Sequence, residues 1–225
     1  MASRHRLPAP EHFQSVVEWR YARAHRYWDD CGKLIGAVEA EFPGLVCGGL
    51  QPEGFKFSGR SKGMTAALFY WDKASISQVG QGDASVPEAA ARYWPIVRDV
   101  LGITGPTRVG HRTWMCFETD TPKHALRWLE GLAFWQFAGH EESALGTPQA
   151  RGSVFRTTLE PGGRRVRVEI EVGTITINHR ERHGVIVNVD IVAEAPGLVP
   201  DDVAEFVRWN LGFLRESVTP IFRAR

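Results

Sequence analysis

The sequence predicts an α+β fold in which two similar halves, each running strand, helix, meander, helix, form a largely antiparallel sheet backed by helices. Three observations predict it. Apolar and polar residues alternate at period two in several short runs, the pattern of half-buried strands. Between these lie longer stretches with apolar residues three and four apart, the pattern of helices with one buried stripe. The order of these elements repeats once along the chain, although no residues repeat. Strands arriving in meanders favour antiparallel pairing with the helices gathered on one face.

In order, residues 1–12 carry Pro8, Pro10 and several charges and read as a flexible arm. Residues 13–104 form the first half and 105–225 the second, within one compact unit. Phe13 to Ala22 alternates Val17, Trp19 and Tyr21 against Val16, Glu18 and Arg20, a strand. Tyr27, Cys31, Leu34, Ile35, Val38 and Phe42 form a helical stripe stopped at Pro43-Gly44. Phe55 and Phe57 mark a short strand, and Met64 to Trp71 is apolar on both faces, so a strand covered on each side is expected. Ser75 to Val79 completes the meander. Ser85-Val86-Pro87-Glu88 reads as a capping box opening a helix that ends at Gly102.

The plan then restarts. Thr107 to Glu118 is a strand and Thr121-Pro122 opens a helix with Ala125, Leu129 and Leu132 inward, followed by a polar loop from Gly139 to Gly152. Strands at Ser153 to Leu159 and Arg164 to Val172 flank the turn Glu160-Pro161-Gly162-Gly163. Short strands are expected at Thr174 to Asn178 and, after the charged loop His179 to His183, at Gly184 to Val192, giving the second half one strand more than the first. A helix from about Asp201 to Phe222 closes the chain, with Val203, Val207, Leu211, Leu214, Val218 and Ile221 inward.

Composition bounds the function. At 225 residues and 43% hydrophobic, the chain can bury a full core. Its 27 basic residues face 26 acidic ones, so no net field draws it to nucleic acid or an anionic membrane. No apolar run of about 18 residues occurs, and Met1 to Pro8 lacks a signal-peptide core. A cytoplasmic protein with no membrane contact is expected. Cys31, Cys47 and Cys116 stand far apart in apolar surroundings and read as reduced core thiols. Eight tryptophans imply a thick aromatic core or an apolar surface kept for a partner, and most lie inside periodic elements, which favours the core.

Several stretches resemble a sporadically distributed, uncharacterised family of prokaryotic proteins of about this length. They are Val17-Glu18-Trp19-Arg20-Tyr21, Phe55-Lys56-Phe57, the central Thr107-Arg108-Val109-Gly110-His111-Arg112-Thr113-Trp114, and Val187-Asn188-Val189-Asp190-Ile191 before the last helix. The chain departs from that pattern in two places: Thr113-Trp114-Met115 stands where the family has Tyr-Ile-Asn, and the first strand lacks the preceding proline-leucine. No activity comes with the resemblance.

One constellation has chemical content. Val166, Val168, Ile170 and Val172 fall on one face of their strand, and Arg165, Arg167, Glu169 and Glu171 on the other, beside Asn188 and Asp190 of the adjoining strand. Arg112, Glu18 and Arg20 are expected to join this polar face across the sheet. The spacing of Glu169 and Glu171 resembles the metal-binding glutamates of triphosphate tunnel enzymes, but Gly173 stands where those enzymes carry a basic residue. His179, Arg180, Arg182 and His183 read as a basic contact loop without metal. No nucleophile elbow or phosphate-cradling glycine loop is present.

The leading expectation is therefore a non-enzymatic protein-interaction or adaptor module with a protein partner, the homodimer among the arrangements, and with no cofactor or metal; nucleic-acid binding by the region from Arg164 to His183 is a minor third reading. The alternative is a small-molecule or nucleotide-binding protein, an enzyme included, using the polar strand face in a cleft between the halves. Candidate binding residues are Arg20, Arg112, Trp114, Arg167, Glu169 and Asp190.

Overall fold

Val17, Trp19 and Tyr21 are buried while Arg20 and Ala22 are exposed, so the first alternating run is the strand its pattern implies. It begins at Glu11, inside the arm expected from the prolines. The computed structural model describes residues 9–51, 53–61, 64–80, 85–130, 154–160, 164–177, 180–194 and 202–222. In chain order these contain β1 (Glu11–Arg20), α1 (Tyr27–Glu41), β2 (Leu45–Gln51), β3 (Gly54–Ser61), β4 (Met64–Tyr70), β5 (Lys73–Val79) and α2 (Val86–Leu101). Then come β6 (Arg108–Thr119), α3 (Pro122–Glu130), β7 (Val154–Leu159), β8 (Arg165–Ile177), β9 (Arg180–Glu194) and α4 (Val203–Phe213).

The protein is α+β: nine strands in the order β2-β3-β4-β5-β1-β6-β9-β8-β7 form one antiparallel sheet. Each half contributes a contiguous block. In each, the opening strand pairs with the last strand of its own meander, and the two opening strands, β1 and β6, meet at the seam over nine register pairs from Glu11↔Cys116 to Arg20↔Arg108.

Glycine chemistry shifted the strand count between the halves. Gly48-Gly49, which reads as a turn, is a bulge inside β2: the register with β3 slips between Cys47 and Leu50, and Gly49 takes φ 136°, a region an L side chain rarely adopts. Conversely, Gly173 does not break β8. It pairs with Gly184, and Ile186 lies over the vacant position, where a Cβ would come within 2.6 Å of Ile186 Cδ1. Among the described residues the extra strand therefore belongs to the first half. The charged run Arg180 to His183 is likewise strand, paired with Thr174 to Ile177, because antiparallel pairing satisfies its backbone while its side chains reach outward. Leu132, the loop from Gly139 to Gly152, the turn at 161–163 and His179 lie outside the described residues.

The core lies between the sheet and the helices. Trp19 stacks on Trp94 at 5.7 Å, and Tyr93 meets Phe69 at 5.0 Å and donates its hydroxyl to the Leu68 carbonyl at 3.0 Å. Burial pushes the Tyr93 phenol well up from its ordinary value, so it stays a donor. Phe222 stacks on Phe117 at 4.6 Å and on Trp128 at 5.5 Å. Trp19 and Trp94 are buried, and Trp71, Trp128 and Trp209 pack against the core; Trp28, at 54% exposure, is the one large exposed aromatic among the described residues. β4 buries Met64, Ala67 and Phe69 but leaves Leu68 and Tyr70 part-exposed, so it is covered on one face and not on two as its apolar run suggests.

Helix ends follow their local chemistry with one exception. Thr121 Oγ1 accepts from the His124 amide at 3.3 Å and Asp202 Oδ1 from the Glu205 amide at 3.0 Å. Ser85 makes no such cap: its own backbone is helical, at φ −94° and ψ −5°, and its Oγ meets Gln78 Nε2 at 3.3 Å instead. Beyond α4 the helix widens into a π turn over Leu214–Val218 and tightens into a 3-10 turn over Thr219–Phe222. The change of winding leaves Ile221 exposed and Phe222 buried, contrary to the uniform helical stripe.

Cys116 is buried and its thiol pushed up to about 11, first by burial and then by Glu118 and Glu11, whereas Cys31 and Cys47 are only part-buried. Asp30 is 5% exposed and bonded by Lys33 Nζ at 2.6 Å and Arg26 Nε at 3.0 Å. These bonds, Lys33 first, lower its carboxyl below the usual range. A carboxyl with a depressed folded value contributes stability above its unfolded value of about 3.9 and loses it as pH falls below that. Asp30→Asn is therefore expected to lower the urea midpoint at pH 7 and to narrow its deficit at pH 3; an equal deficit at both would show that the ion pairs contribute nothing.

Candidate functional site

The sheet face turned away from the helices carries the even-numbered residues of β1, β6 and β9 and the odd-numbered residues of β8 up to Gly173. Register aligns them in rows. One row reads Val16, Arg112, Asp190, Arg167, Thr158; the next reads Glu18, Gly110, Val192, Arg165; the outermost reads Arg20, Arg108, Glu194. On the other side of the first row lie Gln14, Trp114, Asn188 and Glu169.

Where these rows meet, Arg108, Arg112, Arg165, Arg167, Asp190, Thr158 and Val192 line a cleft of about 460 Å³. A Cβ at Gly110 would stand 3.8 Å from Arg108 Nη2 and 3.9 Å from Val192 Cγ2, so the glycine keeps the floor between them low. All lining residues come from the second half. The cleft lies within that half and not between the halves, because its lining comes from β6, β9, β8 and β7, which are consecutive in the sheet.

The arginines are held at their flanks. Arg112 Nη2 donates to Asp190 Oδ2 at 3.1 Å and Arg165 Nη2 to Glu194 Oε1 at 3.0 Å. Arg108 lies with Nε 2.9 Å from that same Glu194 oxygen and donates through Nη1 to Glu18 Oε1 at 3.2 Å. Arg167 donates to Glu169, which also accepts from Asn188 Nδ2 at 2.9 Å. A guanidinium has five N–H donors, and these bonds occupy one or two of each. Four arginines thus line the cleft among the described residues, each engaged by a carboxylate and each keeping further N–H donors suited to capture of a phosphate or carboxylate.

The structure brings Arg112, Arg167 and Asp190 together in the cleft, with Glu169 and Trp114 in the adjoining row. The Arg112 guanidinium lies over the Trp114 ring, 5.5 Å from its centroid. Arg20 is apart: it donates to Glu18 at 2.9 Å, which raises its own pKa, and lies outside the lining. Arg108, Arg165 and Thr158 were missing from the candidates. The parity of Arg108, Gly110 and Arg112, and of Arg165 and Arg167, would have placed the arginines on the same face.

Sequence reasoning also missed a buried polar cluster on the opposite face. Ser15 Oγ lies 2.7 Å from His111 Nε2, and Thr113 Oγ1 3.3 Å from the same nitrogen. A serine beside a histidine is the geometry of a nucleophile and its base, but His111 is 1% exposed and Ser15 and Thr113 are equally enclosed. The cluster satisfies polar groups inside the core. Among the described residues no group of three or more His, Cys, Asp and Glu is placed to hold a metal, and no helix is long and apolar enough to cross a membrane.

No family model and no curated protein matches the chain. Among solved structures it is similar to the crystal structure of the di-domain ARO/CYC StfQ from the steffimycin biosynthetic pathway. That similarity spans 94% of this chain and 97% of the other at 8% identity, with a TM-score of 0.23, too low to carry an argument about either fold or function.

Proposed function

We propose that this protein binds a small molecule through a phosphate or carboxylate group, held by the arginines on the sheet face of the second half that is turned away from the described helices. The observation that carries the reading is the convergence of Arg108, Arg112, Arg165 and Arg167 on one cleft of small-molecule size. The competing idea of a protein-interaction module drew on the aromatic excess, and most of the described tryptophans are engaged in the core, which supports the ligand reading over it.

Two arginines can be removed without stranding a carboxylate. Glu194 keeps Arg108 when Arg165 is lost, and Glu169 keeps Asn188 when Arg167 is lost. Arg165→Ala and Arg167→Ala should therefore fold normally. Each deletes a hydrogen bond to a charged group, about 1.5–3 kcal/mol when desolvated and nearer the low end at these exposed positions. Calorimetric titration with inorganic phosphate and pyrophosphate at low salt should show roughly tenfold weaker binding for each variant and further weakening as salt rises. No binding of either anion by the unaltered protein, or equal binding by all variants, would refute the assignment.

A further inference from the structure

Resting on the anion-binding reading, we propose that the ligand is a mononucleotide whose phosphate sits among the arginines and whose base stacks on Trp114. Of the two tryptophans within described strands, Trp19 faces the helices and Trp114 faces the cleft side of the sheet. Trp114 is part-buried, with amide side chains of Gln14 and Asn188 beside it in its row. Same-face neighbours on a strand lie about 6–7 Å apart, so the indole is one side-chain step from Arg112. Arg112 itself joins the two features, donating to Asp190 in the cleft and lying over the indole. A planar ring can extend that stack across the remaining part-exposed indole surface.

The row that holds Trp114 also carries amide and carboxylate side chains. Asn188, its register partner, directs Nδ2 to Glu169, while its Oδ1 is shielded from water and has no partner among the described residues. The cationic lining is confined to a cleft of about 460 Å³, on a chain of net charge +1. A bound strand of nucleic acid calls for a longer basic track, so the arrangement favours a single nucleotide.

The test is calorimetric titration of the full chain with ribose 5-phosphate, the four 5′-ribonucleotides and a five-residue single-stranded oligonucleotide, on the unaltered protein, Trp114→Phe and Trp114→Ala. At least one nucleotide is expected to bind roughly tenfold or more tightly than ribose 5-phosphate, since one stacked base contributes about that much. Trp114→Ala should abolish the difference by weakening the nucleotide roughly tenfold more than ribose 5-phosphate, and Trp114→Phe, which keeps a ring, should retain most of it. If no nucleotide outbinds ribose 5-phosphate, or if Trp114→Ala weakens both alike, the nucleotide assignment falls and anion binding stands. Tighter binding of the oligonucleotide with a steeper salt dependence would overturn it in favour of a single strand. Failure of every phosphate compound to bind would remove both readings.

Discussion

Trp19→Ala is expected to destabilise the protein by about 3 kcal/mol, at the lower end of the 3–5 kcal/mol usual for a buried tryptophan. The ring is fully buried, stacked on Trp94 at 5.7 Å and tilted against Tyr93 at 5.6 Å, and it sits on the strand that joins the two halves. Its removal leaves a cavity beneath the seam that two helix-borne rings cannot fill without moving α2. The lower end is favoured because the indole Nε1 is buried without a hydrogen-bond partner among the described residues, so truncation also removes an unsatisfied donor. Urea unfolding followed by far-UV circular dichroism would measure the loss. A change below about 1 kcal/mol, the size of an ordinary surface or mild core effect, would contradict the enclosed position. Glu18, next along the strand on the opposite face, holds Arg108 and Arg20, so the variant is also expected to weaken anion binding at temperatures where the seam loosens.

Phe222→Ala should cost nearly as much, about 3 kcal/mol. Phe222 lies between Phe117 and Trp128, and Phe117 belongs to β6, the strand that also carries Arg108, Arg112 and Trp114. The 3-10 turn thus closes the core against β6. Ile221→Ala is the informative comparison. With 47% of its surface exposed, Ile221 should tolerate truncation within about 0.5 kcal/mol. Were the helix wound uniformly to its end, with Ile221 continuing the apolar stripe, the two costs would be reversed, so the pair of melts decides the winding.

The candidate site was partly legible for a simple reason. Period-two alternation states which residues share a strand face, and Arg165, Arg167, Glu169 and Asp190 announced a polar face on that basis. It does not state which strands are neighbours. Arg108 and Arg165 belong to one cleft only because β9 lies between β6 and β8, bringing positions 57 residues apart in sequence onto one surface. Arg20, chosen on the same alternation, ended outside the lining because β1 lies on the far side of β6 from β9, β8 and β7, which complete the cleft. Ser15 and His111 could not be foreseen together, since a lone serine and a lone histidine, 96 residues apart, carry no shared local pattern.

By itself the sequence determined the α+β class, most of the elements and the buried face of the clearly alternating strands such as β1. Burial is decided residue by residue, and periodicities of two and 3.6 record it locally. Tertiary structure alone decided the strand order, the bulge that makes Gly48-Gly49 part of β2, the continuity of β8 through Gly173, and the turn of winding that buries Phe222. Each depends on which partner satisfies a backbone or fills a space, and antiparallel strands of like pattern accept many partners until the packing of the whole sheet selects one.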